Sequence, residues 1–232
     1  MFEPPKNYNE MLPKLHKSTF VTSLLFYLVL VIKGYLPIVS VSAEHVPPIK
    51  DYEETIKWIL TFGVLPIGLA LFWAILSGAL DLHNNVAKII KIRYLWDEFL
   101  IIRPLKEIAG VSRKLTKKES YTVMSKLYYS EVRSLDDKHY IELFWNKVFY
   151  FWVLFEHAIV VFFTALVISL SKRGDFFSIT GNLSYLWLWV SIVVIFSIIV
   201  FIVSVKPRTE SQVRQISHQK IKDFFINNNI IN

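Results

Sequence analysis

Residues 145–170, WNKVFYFWVLFEHAIVVFFTALVISL, decide how the rest of the chain is read. From Val148 to Leu170 every side chain is apolar or aromatic except Glu156, His157, Thr164 and Ser169. About 20 residues at 1.5 Å each cross a hydrocarbon core of ~30 Å, so the run predicts a membrane-spanning helix. An acid and an imidazole at mid-depth are costly in lipid, which directs Glu156 and His157 toward protein, a second subunit or water. Adjacent positions lie ~100° apart on a helix, so the two side chains point at different targets.

The flanking sequence repeats the pattern. Residues 18–40 form one apolar run, interrupted by Lys33-Gly34, and residues 57–80 form a second, with Pro66 as an expected kink. Residues 184–205, SYLWLWVSIVVIFSIIVFIVSV, form a fourth run without a charge. Residues 1–17 read as an exposed leader with three prolines, and residues 41–56 as an acidic loop. A signal peptide cleaved after Val41-Ser42-Ala43 is the rival for the first run. The long leader and Lys33 within the apolar core favour retention.

Composition narrows the class. The chain has 232 residues, 53% hydrophobic and 16% aromatic, with a net charge of +7 and no cysteine. Bunched apolar residues predict membrane spans rather than one soluble core. The absence of cysteine removes disulfides, thiolate metal sites and thiol nucleophiles. A basic excess in such a chain reflects topology and anionic lipid contact before nucleic acid, which is disfavoured as a partner.

Between the second and third runs, residues 81–144 are expected to form a helical lobe. An amphipathic helix is expected to continue out of the second span and to end or kink at Pro104. Thr116-Lys117-Lys118-Glu119 is a capping-box pattern opening a helix to about Arg133. Residues 206–232 form a basic tail whose Val213, Ile216, Ile221, Phe224 and Phe225 predict an amphipathic helix on the membrane surface or against the lobe. The leader, lobe and tail hold most of the Lys and Arg, which places them and both termini in the cytosol of a bacterial inner-membrane protein. The expected fold class is therefore an all-α integral membrane protein, with four transmembrane helices and a cytosolic lobe between spans 2 and 3.

Three constellations offer chemistry. The first is intramembrane. Glu156 lies ~16 Å along its span from Trp145, and Lys33 ~22 Å along the first span from Ser18, so a bending lysine stem would close the gap. Either Lys33 snorkels outward while Glu156 is protonated, or hydrogen-bonded to His157 or another helix, or Glu156 and His157 line a titratable constriction on an oligomer axis. The second is an anion or partner site on the lobe, with Arg93, Arg103, Arg113, Lys114, Lys117 and Lys118 as donors and Tyr94 and Trp96 as stacking surfaces. Lipid-facing positive charges are its bland alternative, and Arg93 can simply pair with Asp97 one turn on. The third is His139-x-x-Glu142 with Asp136 a turn before; without matching ligands elsewhere it reads as solvated charge, so no metal or cofactor is expected. Phosphate-binding glycine loops and nucleophile motifs are missing, which disfavours an enzyme.

Residues 82–105, LHNNVAKIIKIRYLWDEFLIIRPL, and 137–156, DKHYIELFWNKVFYFWVLFE, resemble segments of uncharacterised small bacterial four-span membrane proteins found beside phage-defence genes. The resemblance implies a membrane effector whose lobe senses a cytosolic protein or nucleotide signal; it transfers no functional residue. The combined expectation is a homo-oligomer that conducts ions or permeabilises the bilayer under control of the lobe. The alternative is a non-conducting scaffold or accessory subunit that recruits a soluble partner.

Overall fold

A computed structural model describes residues 5–39, 63–134, 138–173 and 181–230. All regular structure in it is helical, and the chain divides into two units. Among the described residues, three helices are long and apolar enough to cross a membrane, or four if one bent pair counts as a span.

The four-helix unit comprises described residues 8–39, 63–83, 149–173 and 181–198. It contains α1 (Tyr8–Ile32), α2 (Val64–Leu80), the part of α8 (Lys138–Arg173) from residue 149, and most of α9 (Leu183–Val200). α1 begins well before the expected span start at residue 18, so the leader is a helix from Tyr8 onward. Met11 and Leu15, one turn apart, extend the buried face of α1 toward its start. Pro13 removes one backbone donor in the second turn without ending the helix. Pro66, expected to kink a span, lies within α2 close to the start of its described residues. Residues 57–62, the acidic loop and the signal-cleavage sequence lie outside the described residues.

Side-chain pairs fix the register. Thr19 meets Glu156, and Tyr27 meets Thr164 at 2.7 Å, eight residues further along both helices. α1 and α8 are therefore parallel. Ser77 reaches Glu156 while Trp73, one turn earlier, donates to Tyr27 at 2.5 Å, so α2 runs antiparallel to both. Phe26, Leu30, Val160, Val161, Ala165, Leu186 and Val190 form the apolar core between them. At one end Tyr35 donates to the Asn182 carbonyl at 2.6 Å, and Gly181 donates to the Gly34 carbonyl at 3.2 Å.

The helix expected to continue out of the second span does not. Asp81 adopts a left-handed conformation (φ 45°) after α2, and α3 (Leu82–Ile89) leaves at 70°. A short polar side chain is among the few that tolerate this backbone, and the Asp81 N–H closes the end of α2 on the Ser77 carbonyl.

The lobe comprises described residues 5–7, 84–134, 138–148 and 199–230. α4 (Ile92–Leu95) leads into a π-helical segment, Trp96–Ile102, and α5 (Arg103–Ala109) carries Pro104 in its first turn, so the chain passes Pro104 without stopping. The capping box is present at α6 (Lys117–Thr122): Thr116 Oγ1 accepts from the Glu119 N–H at 3.2 Å, and the Thr116 N–H donates to Glu119 at 2.7 Å. A second π-helical segment, Val123–Tyr128, separates α6 from α7 (Tyr129–Ser134).

The tail is part of the lobe. α10 (Lys206–Gln215) and α11 (His218–Asn227) bury Val213, Ile216, Ile221 and Phe225 against Leu105, Met124 and Leu127. Tyr128 donates to Gln212 at 2.8 Å in the interior, and Lys220 pairs with Glu131 at 2.9 Å. Of the two placements open to the tail helix, packing against the lobe is the one observed.

Candidate functional site

Glu156 has no exposed surface, and its carboxylate is ringed by Ser77, Thr19 and His83, side chains of the same unit carried on three other helices. Ser77 Oγ from α2 reaches both oxygens, at 2.7 and 3.0 Å. Thr19 Oγ1 from α1 reaches Oε2 and also lies 3.0 Å from the Leu15 carbonyl, so its one proton is shared between two acceptors. His83 Nδ1, in the first turn of α3, lies 3.1 Å from Oε1. A buried carboxylate needs this kind of shell, because an unpaired charge there is strongly disfavoured.

The other face of His83 looks outward. Its Nε2 lies 3.3 Å from the Tyr8 hydroxyl and 3.4 Å from Asp81 Oδ1. The Asp81 side chain is 42% exposed, whereas the imidazole is almost fully enclosed and stacks obliquely near Trp152 at 5.0 Å. Asp81 and Glu156 thus meet opposite ring nitrogens of one histidine. They do not converge on a point that would hold an ion; they form a line from a half-exposed acid to a buried one. The left-handed turn at Asp81 puts its carboxylate back over His83.

Beyond Glu156 the line has further polar members. Thr19, Ser23 and Tyr27 follow one another at one-turn intervals along α1, ~6 Å apart. Ser23 Oγ is buried with no hydrogen-bond partner among the described residues, and Tyr27 is bonded to Thr164 and Trp73.

His157, paired with Glu156 in the sequence reading, points elsewhere: its ring meets Phe26 edge-on at 5.8 Å, and its buried Nδ1 has no partner among the described residues. Lys33 is exposed just beyond α1. Thr19 is the α1 residue level with Glu156, so Lys33 is fourteen residues, ~21 Å, too far along. Glu156 is hydrogen-bonded to side chains of other helices and not to His157.

On the lobe, Arg103 pairs with Glu107 at 3.0 Å, and Arg113 pairs with Glu119 at 2.7 Å and donates to the Ile230 carbonyl at 2.9 Å. Arg113 holds the Glu119 carboxyl down at about 2. Lys114 and Arg103 share a surface groove of about 380 Å³ with Lys106, but Glu98 and Glu107 line it too. Arg93 is exposed and bonded to Asn84; Lys117 and Lys118 are exposed on the first turn of α6. The site residues expected for anion binding are therefore not gathered into one unopposed basic patch. Trp96, expected as a stacking surface, packs edge-on against Phe201 at 5.2 Å inside the lobe. Glu142 lies 3.8 Å from Lys6; Asp136 and the His139 side chain lie outside the described residues.

Sequence reasoning passed over His83, Ser77, Thr19, Asp81 and Tyr8. A signal existed for two of them, since Thr19 and Ser77 are hydroxyls inside otherwise apolar runs.

The fold and this site define a class: an all-helical chain with several potential membrane spans and a buried acid–imidazole pair among them. The chain belongs to the YmfE protein family, whose model matches residues 7–227. It is 55% identical over 230 residues to a protein from Escherichia coli (strain K12) called uncharacterized protein YmfE, covering 99% of this chain and 98% of the relative. No solved structure matches.

Proposed function

We propose that the protein is a non-enzymatic bacterial inner-membrane protein that carries protons through its four-helix unit, with Glu156 as the buried proton-binding group. This is the ion-conducting expectation with its site moved from an oligomer axis to the interior of one chain. The observation that carries it is the bridging of His83 between half-exposed Asp81 and fully buried Glu156. A proton arriving at Asp81 passes to Nε2 of the imidazole while the proton on Nδ1 moves to the Glu156 carboxylate; once that proton has moved on from Glu156, rotation of the ring restores the first tautomer without handing a proton back to Asp81. Thr19, Ser23 and Tyr27 continue the polar line along α1. Positive-inside topology puts Asp81, Tyr8 and the lobe on the cytosolic side. Control by a cytosolic signal acting on the lobe, homo-oligomer formation and a part in phage defence are further elements of the proposal; the last rests on the resemblance of two segments.

The test is proton flux into proteoliposomes holding a pH-sensitive dye, under a valinomycin-clamped potassium gradient. Flux in the parent protein, falling to the level of protein-free vesicles in Glu156→Gln and His83→Asn, is the expected result. Equal flux in parent and variants removes the pair from the mechanism. A second reading, a non-conducting scaffold that recruits a soluble partner, is favoured by the completeness of the hydrogen-bond shell on Glu156, which would equally serve to lock the helices together. Parent flux no greater than that of protein-free vesicles selects the scaffold.

A further inference from the structure

α3 and α4 meet at Lys91, a second non-glycine residue in the left-handed conformation (φ 62°). A lysine there is strained, because its Cβ crowds the carbonyl that follows. The break leaves an unusual surface. Ile89 is 78% exposed, Ile90 and Tyr94 are each 51% exposed, and Leu95 is close behind. Lys88, Lys91 and Arg93 are interleaved with them and are exposed as well. Large aliphatic side chains left in water beside cations and a tyrosine are the composition of a segment lying in a membrane interface.

Chain length fixes the depth of this surface independently of how the lobe is arranged. Lys88 is eight residues past Leu80, the last residue of α2, and eight residues of helix extend only ~12 Å. If α2 crosses the bilayer, as the proposed function requires, residues 88–95 start within that distance of where it leaves the hydrocarbon. Headgroups occupy this layer, and the positive charges match anionic phospholipid.

We infer that residues 88–95 form a docking surface for anionic phospholipid, with Ile89, Ile90 and Leu95 entering the acyl boundary and Lys88, Lys91 and Arg93 meeting headgroup phosphates. The surface tethers the start of the lobe to the bilayer. Because each basic residue near an anionic surface contributes ~1 kcal/mol, removing one lysine shifts the docked-to-undocked ratio about fivefold.

The absence of cysteine makes the test direct. Single variants Ile89→Cys, Tyr121→Cys and Ile75→Cys of the full chain, labelled with an environment-sensitive fluorophore, are placed in nanodiscs of phosphatidylcholine with or without phosphatidylglycerol. Ile75 is an exposed residue of α2 and Tyr121 an exposed residue of the lobe. At Ile89→Cys, strong quenching by headgroup-level nitroxide lipid and weak quenching by aqueous iodide are expected. Phosphatidylglycerol should strengthen the lipid quenching, and Lys88→Gln with Lys91→Gln should weaken it, while Tyr121→Cys remains open to iodide. Iodide quenching at Ile89→Cys equal to that at Tyr121→Cys overturns the inference. So does quenching indifferent to phosphatidylglycerol, and so does shielding from both quenchers, which would put a second copy of the chain on the surface. Acyl-chain nitroxide quenching at Ile75→Cys separates the two ideas. Its presence with no lipid quenching at Ile89→Cys overturns the docking alone, and its absence overturns the span and the docking together.

Discussion

Removing the two partners of the buried pair one at a time and together should give unequal and non-additive losses. In Glu156→Leu, three hydrogen bonds disappear: those from Ser77, Thr19 and His83. Interhelical bonds in a membrane bundle average about 0.6 kcal/mol each, giving ~2 kcal/mol. Thr19 recovers part of this, because its hydroxyl is already 3.0 Å from the Leu15 carbonyl. In His83→Leu the carboxylate stays, still with no exposed surface, and is left with two neutral hydroxyls. Stranding one member of a buried pair costs ~3–5 kcal/mol. The double variant removes both the acid and its need for a partner, so it should cost about 1–3 kcal/mol, well short of the sum of the single losses. The coupling is therefore ~4 kcal/mol. Unfolding by sodium dodecyl sulfate in mixed micelles, followed by far-ultraviolet circular dichroism, measures all four corners of the cycle. Losses that add to within about 0.5 kcal/mol would mean that the two side chains act independently, and the relay geometry would be refuted.

At Gly181, an added Cβ atom would overlap the Tyr35 ring, so Gly181→Ala should destabilise the end of the four-helix unit by ~1–3 kcal/mol. A Tyr35→Ser background should relieve most of that difference, and a lowered thermal midpoint in detergent reads both. Asp97 tests the lobe: burial pushes its carboxyl up to about 6 from the ordinary 3.8, with Arg93 pulling the other way. The folded lobe therefore holds this proton more tightly than the unfolded chain. Its contribution is fully present below 3.8 and is lost as pH rises through about 6. Asp97→Asn should flatten the fall in stability over that interval and leave the variant more stable than the parent at about pH 7. Urea titrations of the full chain in detergent across the interval check the slope, and an unchanged slope refutes the assignment.

Why some of this was legible in the sequence and some was not follows from what each feature depends on. Long apolar runs announce themselves because a span needs uniform composition over ~20 residues, and α1, α2, α8 and α9 all lie where such runs are. The capping box at Thr116 was readable because both partners sit within one turn. Glu156 stood out because an acid in an apolar run has few bland explanations. His83 did not, since a lone histidine in a polar connection looks ordinary until a left-handed Asp81 folds the chain back, and no local propensity demands that turn. Register was the hardest part. Aligning spans one and three by their apparent starts, residues 18 and 145, matches each residue with one 127 positions on. The observed pairs Thr19–Glu156 and Tyr27–Thr164 are 137 apart. Ten residues of helix are ~15 Å, enough to exchange an exposed lysine for a buried threonine and imidazole. The slip came from hydropathy, which marks where a helix is apolar and not where it begins: residues 8–17 are polar enough to look like a leader, yet they bury Met11 and Leu15 one turn apart. In a bundle of uniformly apolar helices nothing local sets vertical alignment, so the few polar side chains inside it must find one another. The helix positions that let Glu156, Ser77, Thr19 and His83 meet are therefore the best evidence for what holds the register.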